Sequence, residues 1–223
     1  MLNFYRRVGE QHSVRVGFSD CSDGDAREDS FFSAAKHTPV FPHQVHGSEV
    51  AIVENLDGHN PHECDALMTS RPGIPIGVRI ADCVPIALYG NSLSGPALAV
   101  VHAGWRGIRD GVIGNAAELM TQYGCYELRA IIGPHISADE YEFGTEDLAQ
   151  MVTLIGERAA SWTKEGLPAL DLRAAVEETL SRSSVVVDHQ VARCTAQDPR
   201  YWSYRASGDG QRFALVAEIR LLS

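Results

Sequence analysis

Short apolar runs, each closed by Gly, Pro, Asn or Asp, fill the first half of the chain. Ser13–Ser19 (SVRVGFS) alternates apolar and polar residues with the period of a half-buried strand. Glu49–Glu54, Cys64–Thr69, Ile74–Ile80, Cys83–Tyr89 and Pro96–His102 read the same way. Within the last of these, LAVVHA is almost wholly apolar, as in a strand covered on both faces. The period then changes. Over Gly107–Tyr123 the residues Ile108, Val112, Ile113, Ala116, Leu119 and Met120 recur three or four apart, which predicts one amphipathic helix with Gly124 at its C-terminal cap. Leu128–Ile132 returns to strand. Thr145–Ala160 and Asp171–Arg182 predict two further helices, capped by Thr145 and Asp171. Val185–Asp188 and Phe213–Leu221 close the chain as strands, and the acidic stretch Ser19–Phe32 predicts a surface loop.

Strands in runs with helices gathered in the second half point to an α+β, or mixed α/β, fold rather than a strict βαβ repeat. Neither a linker nor an internal repeat divides residues 1–223, so one domain is expected. GxGxxG and Walker A motifs are absent from the sequence.

Composition narrows the function. A formal net charge of −10 argues against a nucleic-acid binder, whose affinity rests on Lys and Arg neutralising phosphates. A small-molecule phosphate needs only a local cluster of donors and stays open. There is no run of the ~20 apolar residues a membrane span needs. MLNFYRRVGEQHSVRV lacks the apolar stretch of a signal peptide, so a cytoplasmic location is expected. No protein partner is indicated. Five cysteines at irregular spacing, without CxxC, predict free or metal-bound thiols.

Three residues in unusual company carry the candidate chemistry. His46 (in HQVHG), Cys83 (in RIADCVPI) and His102 (in VVHAGWRG) form a donor set suited to zinc or copper, and three protein ligands leave a position open. Around them, Gly107 is expected to open the helix with free amides that hold an anion, and Arg106 adds a guanidinium fork. Trp105 either stacks on a flat ring or packs in the core. Asp82 is read as a histidine-orienting partner, a general base or a turn-stabilising residue. Gln44, His135 and Arg205 are candidate substrate contacts. Arg212 reads as a surface salt bridge, and His59, His62 and Cys64 (HNPHEC) as a surface loop.

HQVHG, ADC, HAGWRG, IGPHI followed by YEFG, and CTAQDPRYWSYRASGDGQRFA together resemble the laccase-domain family. Its members are described as multicopper polyphenol oxidases, purine nucleoside phosphorylases and peptidoglycan editing factors. The resemblance runs from about Phe41 to the C-terminus. It implies a sandwich-like single domain and one zinc on residues matching His46, Cys83 and His102. It also implies phosphorolysis of adenosine, inosine, guanosine or methylthioadenosine, together with adenosine deamination; the oxidase descriptions invoke copper at the same ligands. Family members usually carry a stretch like SLNLG…HVGDD before QVHG. Here CSDGDAREDSFFSAAKHTP replaces it and is shorter.

Cys83, Asp82 and Arg106 are thus the candidate catalytic residues, and Gln44, Arg106, Gly107, His135 and Arg205 the candidate contacts for purine nucleoside and phosphate. Two other enzyme readings stand beside the phosphorylase. In one, Cys83 is the nucleophile of an editing hydrolase, with His102 or His46 as base. In the other, copper at the site makes an oxidase. The non-enzyme alternative is a structural zinc module, which needs a fourth protein ligand, and His43 is the nearest candidate.

Overall fold

The computed structural model describes residues 1–32, 37–56 and 63–222. In chain order the first strands are β1 (Leu2–Val8), β2 (His12–Phe18), β3 (Val50–Ile52), β4 (Ala66–Thr69), β5 (Ile76–Ile80), β6 (Val84–Ser92) and β7 (Gly95–Ala103). Helices α1 (Trp105–Asp110) and α2 (Val112–Gln122) lead to β8 (Tyr126–Ile132) and α3 (Thr145–Ile155). The short strands β9 (Ala160–Trp162) and β10 (Pro168–Leu170), helix α4 (Leu172–Arg182), strand β11 (Val186–Gln190), helix α5 (Tyr204–Ser207) and strand β12 (Phe213–Leu221) complete the described elements.

These elements stack in three layers. An antiparallel sheet in the order β1-β2-β12-β5 faces a mixed sheet in the order β11-β8-β6-β7-β4-β3. Helices cover the far side of the mixed sheet. Strand β7 shows why its sequence is apolar throughout. Leu98 and Val100 point into the core between the sheets, whereas Ala97, Ala99, Val101 and Ala103 join the core under Ile113, Met120 and Leu180. A strand has a side-chain period of two, so covering both faces requires apolar residues at every position. This is the α+β fold that the pattern predicts, in the sandwich-like arrangement that the resemblance implies, with β5 and β12 sharing the inter-sheet core through Ile76, Val78, Leu215 and Ala217.

Several local expectations are corrected. Strand β1, absent from the pattern-based reading, pairs with β2 across its whole length; its alternation is masked by Arg6, which is ion-paired to Asp188. The helix predicted over Gly107–Tyr123 is two helices. It begins at Trp105 and is broken at Gly111, whose φ of 95° is left-handed and whose N–H closes on the Gly107 and Ile108 carbonyls. Gly124 does stop α2, with φ 79°. The helix predicted over Thr145–Ala160 ends at Ile155, because Gly156 at φ 121° turns the chain into β9. Its cap is Gly144, not Thr145, whereas the Asp171 side chain does cap α4 by accepting the Ala174 N–H. Ser19–Phe32 is not a free surface loop: Ser19 and Ala26 are buried, and Ala26 donates its N–H to the Arg212 carbonyl. His59 and His62 lie outside the described residues. Cys64 is buried in the inter-sheet core, and burial pushes its thiol up to about 11.

Candidate functional site

Strands β6 and β7 are antiparallel neighbours, and their register sets Pro85 opposite His102. Cys83 immediately precedes β6, so its side chain emerges at the same sheet edge as His102, the penultimate residue of β7. His46 arrives from the loop before β3, in the left-handed conformation at φ 60°. The ligand atoms of His46, Cys83 and His102 all lie within 4.8 Å of one another.

One buried carboxylate assembles this group. Asp65, just before β4, accepts the amides of Val45 at 3.1 Å and Gly47 at 2.7 Å through Oδ2, which fixes the turn carrying His46. Its Oδ1 meets His102 Nδ1 at 2.7 Å. That bond leaves His102 Nε2 facing the cluster and sets the tautomer a metal-ligating imidazole needs. Gly104 supplies the floor. A Cβ built there would lie 3.1 Å from both Cys83 Sγ and His46 Cδ2, closer than carbon normally approaches. The first glycine of HAGWRG is therefore the residue that leaves room for three converging donors.

Electrostatics follow from this packing. Burial by itself would push the Cys83 thiol up, but His102 and His46 override it and hold Cys83 at about 6. Burial would likewise strip the proton from His102, yet the Cys83 thiolate and Asp65 raise it to about 9. A thiolate beside two imidazoles, one backed by a carboxylate, has the chemistry of a soft-metal donor set. His46, Cys83 and His102 therefore fit a metal ion.

The group opens into a cleft of about 740 Å³. Trp105, which opens α1, lines it and packs edge-on against Phe143 at 5.2 Å between centroids. Arg106 lies over the Trp105 ring at 4.4 Å. Tyr141 and Tyr204 add aromatic lining, and Arg79, Arg205 and Arg212 add cationic lining. Burial, reinforced by the Cys83 charge, pushes the Tyr141 phenol up, so it stays a neutral donor.

Residues 25–219 match the family described as multi-copper polyphenol oxidoreductase laccase. The chain belongs to that family. Among its relatives, a Mycobacterium bovis protein named purine nucleoside phosphorylase is 34% identical over 180 residues, covering 78% of this chain and 70% of the relative. A Xylella fastidiosa protein with the same name is 32% identical over 224 residues, covering 92% and 85%. Two solved structures share the fold. One is a Bacillus licheniformis hypothetical protein, YfiH (TM-score 0.78, 19% identity, 96% and 98% covered). The other is a Neisseria meningitidis protein of the DUF152 family (TM-score 0.77, 22% identity, 98% and 99% covered). At such identities these two speak for the fold alone.

Within this laccase-like framework the other sequence-derived candidates fall in different places. Asp82 does not orient a histidine; that residue is Asp65. Asp82 (φ 87°) spends both oxygens elsewhere, accepting the Thr195 hydroxyl at 2.7 Å and the Arg205 amide at 2.7 Å, which docks α5 at the cleft. Gln44 lines the cleft and clamps the Arg79 backbone, accepting its N–H and donating to its C=O, both at 2.8 Å. Arg205 lines it too, over the Tyr141 ring at 4.6 Å. Gly107 lies inside α1 rather than leading into it, buried where a Cβ would meet the Gly47 carbonyl at 2.9 Å; it packs α1 onto the His46 turn. His135 is not part of the cleft lining. It is buried just beyond β8, its Nδ1 is 2.8 Å from the Gly133 carbonyl, and burial lowers its pKa. Arg212, read as a surface salt bridge, instead lines the cleft and holds main-chain carbonyls. His43 sits beside Glu63 and outside the three-donor group, so the fourth ligand of a structural zinc site is not supplied by it.

Proposed function

We propose that this protein is a zinc-dependent purine nucleoside phosphorylase acting on adenosine, inosine, guanosine or methylthioadenosine, with adenosine deamination as a side activity, in the cytoplasm. The observation that carries the reading is one cleft combining the His46–Cys83–His102 group with Arg106, a cation resting on Trp105 with no ion pair among the described residues. The purine nucleoside phosphorylase names of relatives sharing about a third of their residues support it. Among the described residues no helix is long and apolar enough to cross a membrane.

In this reading Arg106 holds phosphate, and the rings of Trp105, Tyr141 and Tyr204 flank the purine. A phosphate oxygen forms a bond to ribose C1′ as the N-glycosidic bond breaks, and the purine leaves with the bonding pair and takes up a proton. Positioning and charge stabilisation are the chief contributions of such a site. His46, Cys83 and His102 would hold the zinc, which when bound supplies a Lewis acid. Asp65 keeps His102 in its ligating tautomer, and Tyr141 offers a neutral O–H. Gln44 and Asp82 act at one remove, fixing Arg79 and Arg205. Incubation of adenosine or inosine with and without phosphate, followed by chromatography, tests the reading: ribose 1-phosphate forms only with phosphate present.

One observation favours a second reading. Asp65, His102 and Cys83 stand in the order orienter, base, nucleophile, which suits a thiol hydrolase editing a peptidoglycan precursor. Metal content separates the two. Under the phosphorylase reading Cys83→Ala loses bound zinc, whereas under the hydrolase reading it loses cleavage of a muramyl-serine precursor with metal content unchanged. A four-electron copper oxidase needs several coppers, and the described residues offer one three-donor group.

A further inference from the structure

Arginines outside the cleft mostly pair with carboxylates, as Arg6 does with Asp188, Arg173 with Glu177, Arg182 with Glu178 and Arg200 with Asp198. Of the five arginines that line the cleft, Arg27 pairs with Asp25 and the other four do not pair. Arg79, Arg106, Arg205 and Arg212 form no ion pair among the described residues, and each is aimed by uncharged groups. Arg79 lies over the Phe41 ring at 4.1 Å and donates Nε to the Ala26 carbonyl at 2.9 Å. Arg205 lies over Tyr141 and donates to the Glu142 carbonyl at 2.6 Å. Arg212 donates one guanidinium nitrogen to the carbonyls of Asp209, Gly210 and Gln211. Rings and carbonyls orient a guanidinium without cancelling its charge, so the remaining N–H groups stay available.

The four fall on two walls. Arg106 and Arg205 belong to α1 and α5. Arg79 lies on β5, and Arg212 directly precedes β12, the neighbouring strand, where Ala214 is registered against Arg79. This second wall is finished by the segment that is shortened relative to the family pattern. Asp25 accepts the Arg212 amide, Ala26 caps Arg79, and the Asp25 carboxylate is occupied by Arg27 at 2.9 Å. Gln44 locks the Arg79 backbone to the loop that carries His46. Arg79 is half-buried, and burial holds its guanidinium below its ordinary value; the field of Asp25 offsets part of this and the charge of Arg27 adds to it. Keeping a cation there without a directly paired carboxylate is costly unless a ligand supplies the missing negative charge.

We propose that Arg79 and Arg212 form a second anion subsite, distinct from Arg106, that receives a phosphoryl group carried on the sugar of the nucleoside. Phosphorylated purine nucleosides are then ligands and substrates of this cleft. The inference rests on the phosphorylase reading for the identity of the sugar, but not for the binding itself. In the reaction, inorganic phosphate at Arg106 bonds to C1′, the N-glycosidic bond breaks, and the base leaves with the electron pair and is protonated. The product is a ribose bisphosphate.

Calorimetry on the whole protein tests this with three probes: adenosine, adenosine 5′-monophosphate and inorganic phosphate. Wild type is expected to bind the monophosphate at least about ten-fold more tightly than adenosine. Arg79→Gln and Arg212→Gln should each collapse that ratio toward one, Arg79→Lys should restore part of it, and Arg106→Gln should leave the ratio above one while weakening inorganic phosphate. Equal affinity for the two nucleosides in wild type overturns the subsite, as does an unchanged ratio in both Gln variants. Loss of inorganic phosphate affinity in those variants with the ratio intact places free phosphate there and also overturns it. If Arg79→Gln does not fold, Arg212→Gln decides, since the links of Arg212 to Asp25 and Ala26 run through its main chain. Binding is read without turnover, so failure of the subsite and failure of ribose 1-phosphate formation from adenosine remain separate results.

Discussion

Asp65 and His102 are joined twice: the His102 amide donates to the Asp65 carbonyl at 2.7 Å, and His102 Nδ1 meets Asp65 Oδ1 at 2.7 Å. Because the other carboxylate oxygen holds the turn carrying His46, one side chain positions two of the three donors. Asp65→Asn removes the charge while keeping the shape. Zinc affinity, measured by competition with a chelator, should fall about 10–100-fold, the usual cost of losing a carboxylate behind a ligating histidine. Unchanged affinity would show that Asp65 serves the fold alone.

Gly104 makes a sharper separation between site and fold. Its φ of −75° and ψ of 161° suit alanine, so the backbone does not resist substitution. The added methyl meets Cys83 and His46 instead. Gly104→Ala is expected to lose most bound metal while the metal-free protein melts within a few degrees of wild type. A large fall in the metal-free melting temperature would mean that the close approach is structural.

The outline of this centre was legible because two of its donors lie at the ends of paired strands with plain apolar patterns, and the third sits in a short motif before β3. HAGWRG holds a donor of the candidate metal group, the glycine floor and a cleft-lining arginine within six residues. Asp65 was not legible. It reads as the polar start of the run Cys64–Thr69, and its partners Val45 and His102 lie 20 and 37 positions away. The usable signal was its type: a carboxylate buried at the head of an apolar strand must find donors. Arg79 was hidden for a similar reason, since only the pairing of β5 with β12 puts it on the same cleft wall as Arg212. His135 misled because a Gly-Pro turn looks the same whether it faces a cleft or a core. The split at Gly111 was invisible to periodicity, which continues in phase from α1 into α2.

Cys83 and His102 exchange a proton without changing the count. In metal-free protein His102, raised to about 9, adds stability that is present below its ordinary 6.5 and lost as pH rises to about 9. Cys83, lowered to about 6, adds stability that is present above its ordinary 9.0 and lost as pH falls to about 6. Across that window the two slopes oppose each other. Chemical unfolding should therefore show little pH dependence from this pair, while alkylation of Cys83, followed by mass spectrometry, should titrate near 6. Burial raises Cys21, Cys64 and Cys125, so those thiols should lag behind. Alkylation of Cys83 titrating near 9 would contradict the thiolate.

Arg106 is held over Trp105 and faces the cleft without a counter-charge. Arg106→Gln should raise the KM for phosphate by about ten-fold or more, with a smaller change in the KM for nucleoside, because a charge-assisted contact to one substrate is removed. Initial rates measured against each substrate check this. Equal increases in both constants would assign Arg106 to general shaping of the cleft.

The most direct test of the account is the sugar product made from inosine by zinc-loaded and chelator-treated protein in the presence of phosphate. Zinc-loaded protein is predicted to give ribose 1-phosphate in step with hypoxanthine, and chelator-treated protein to give neither until zinc is returned. Free ribose as the sole sugar product, or equal turnover with and without metal, would contradict a metal-dependent phosphorylase.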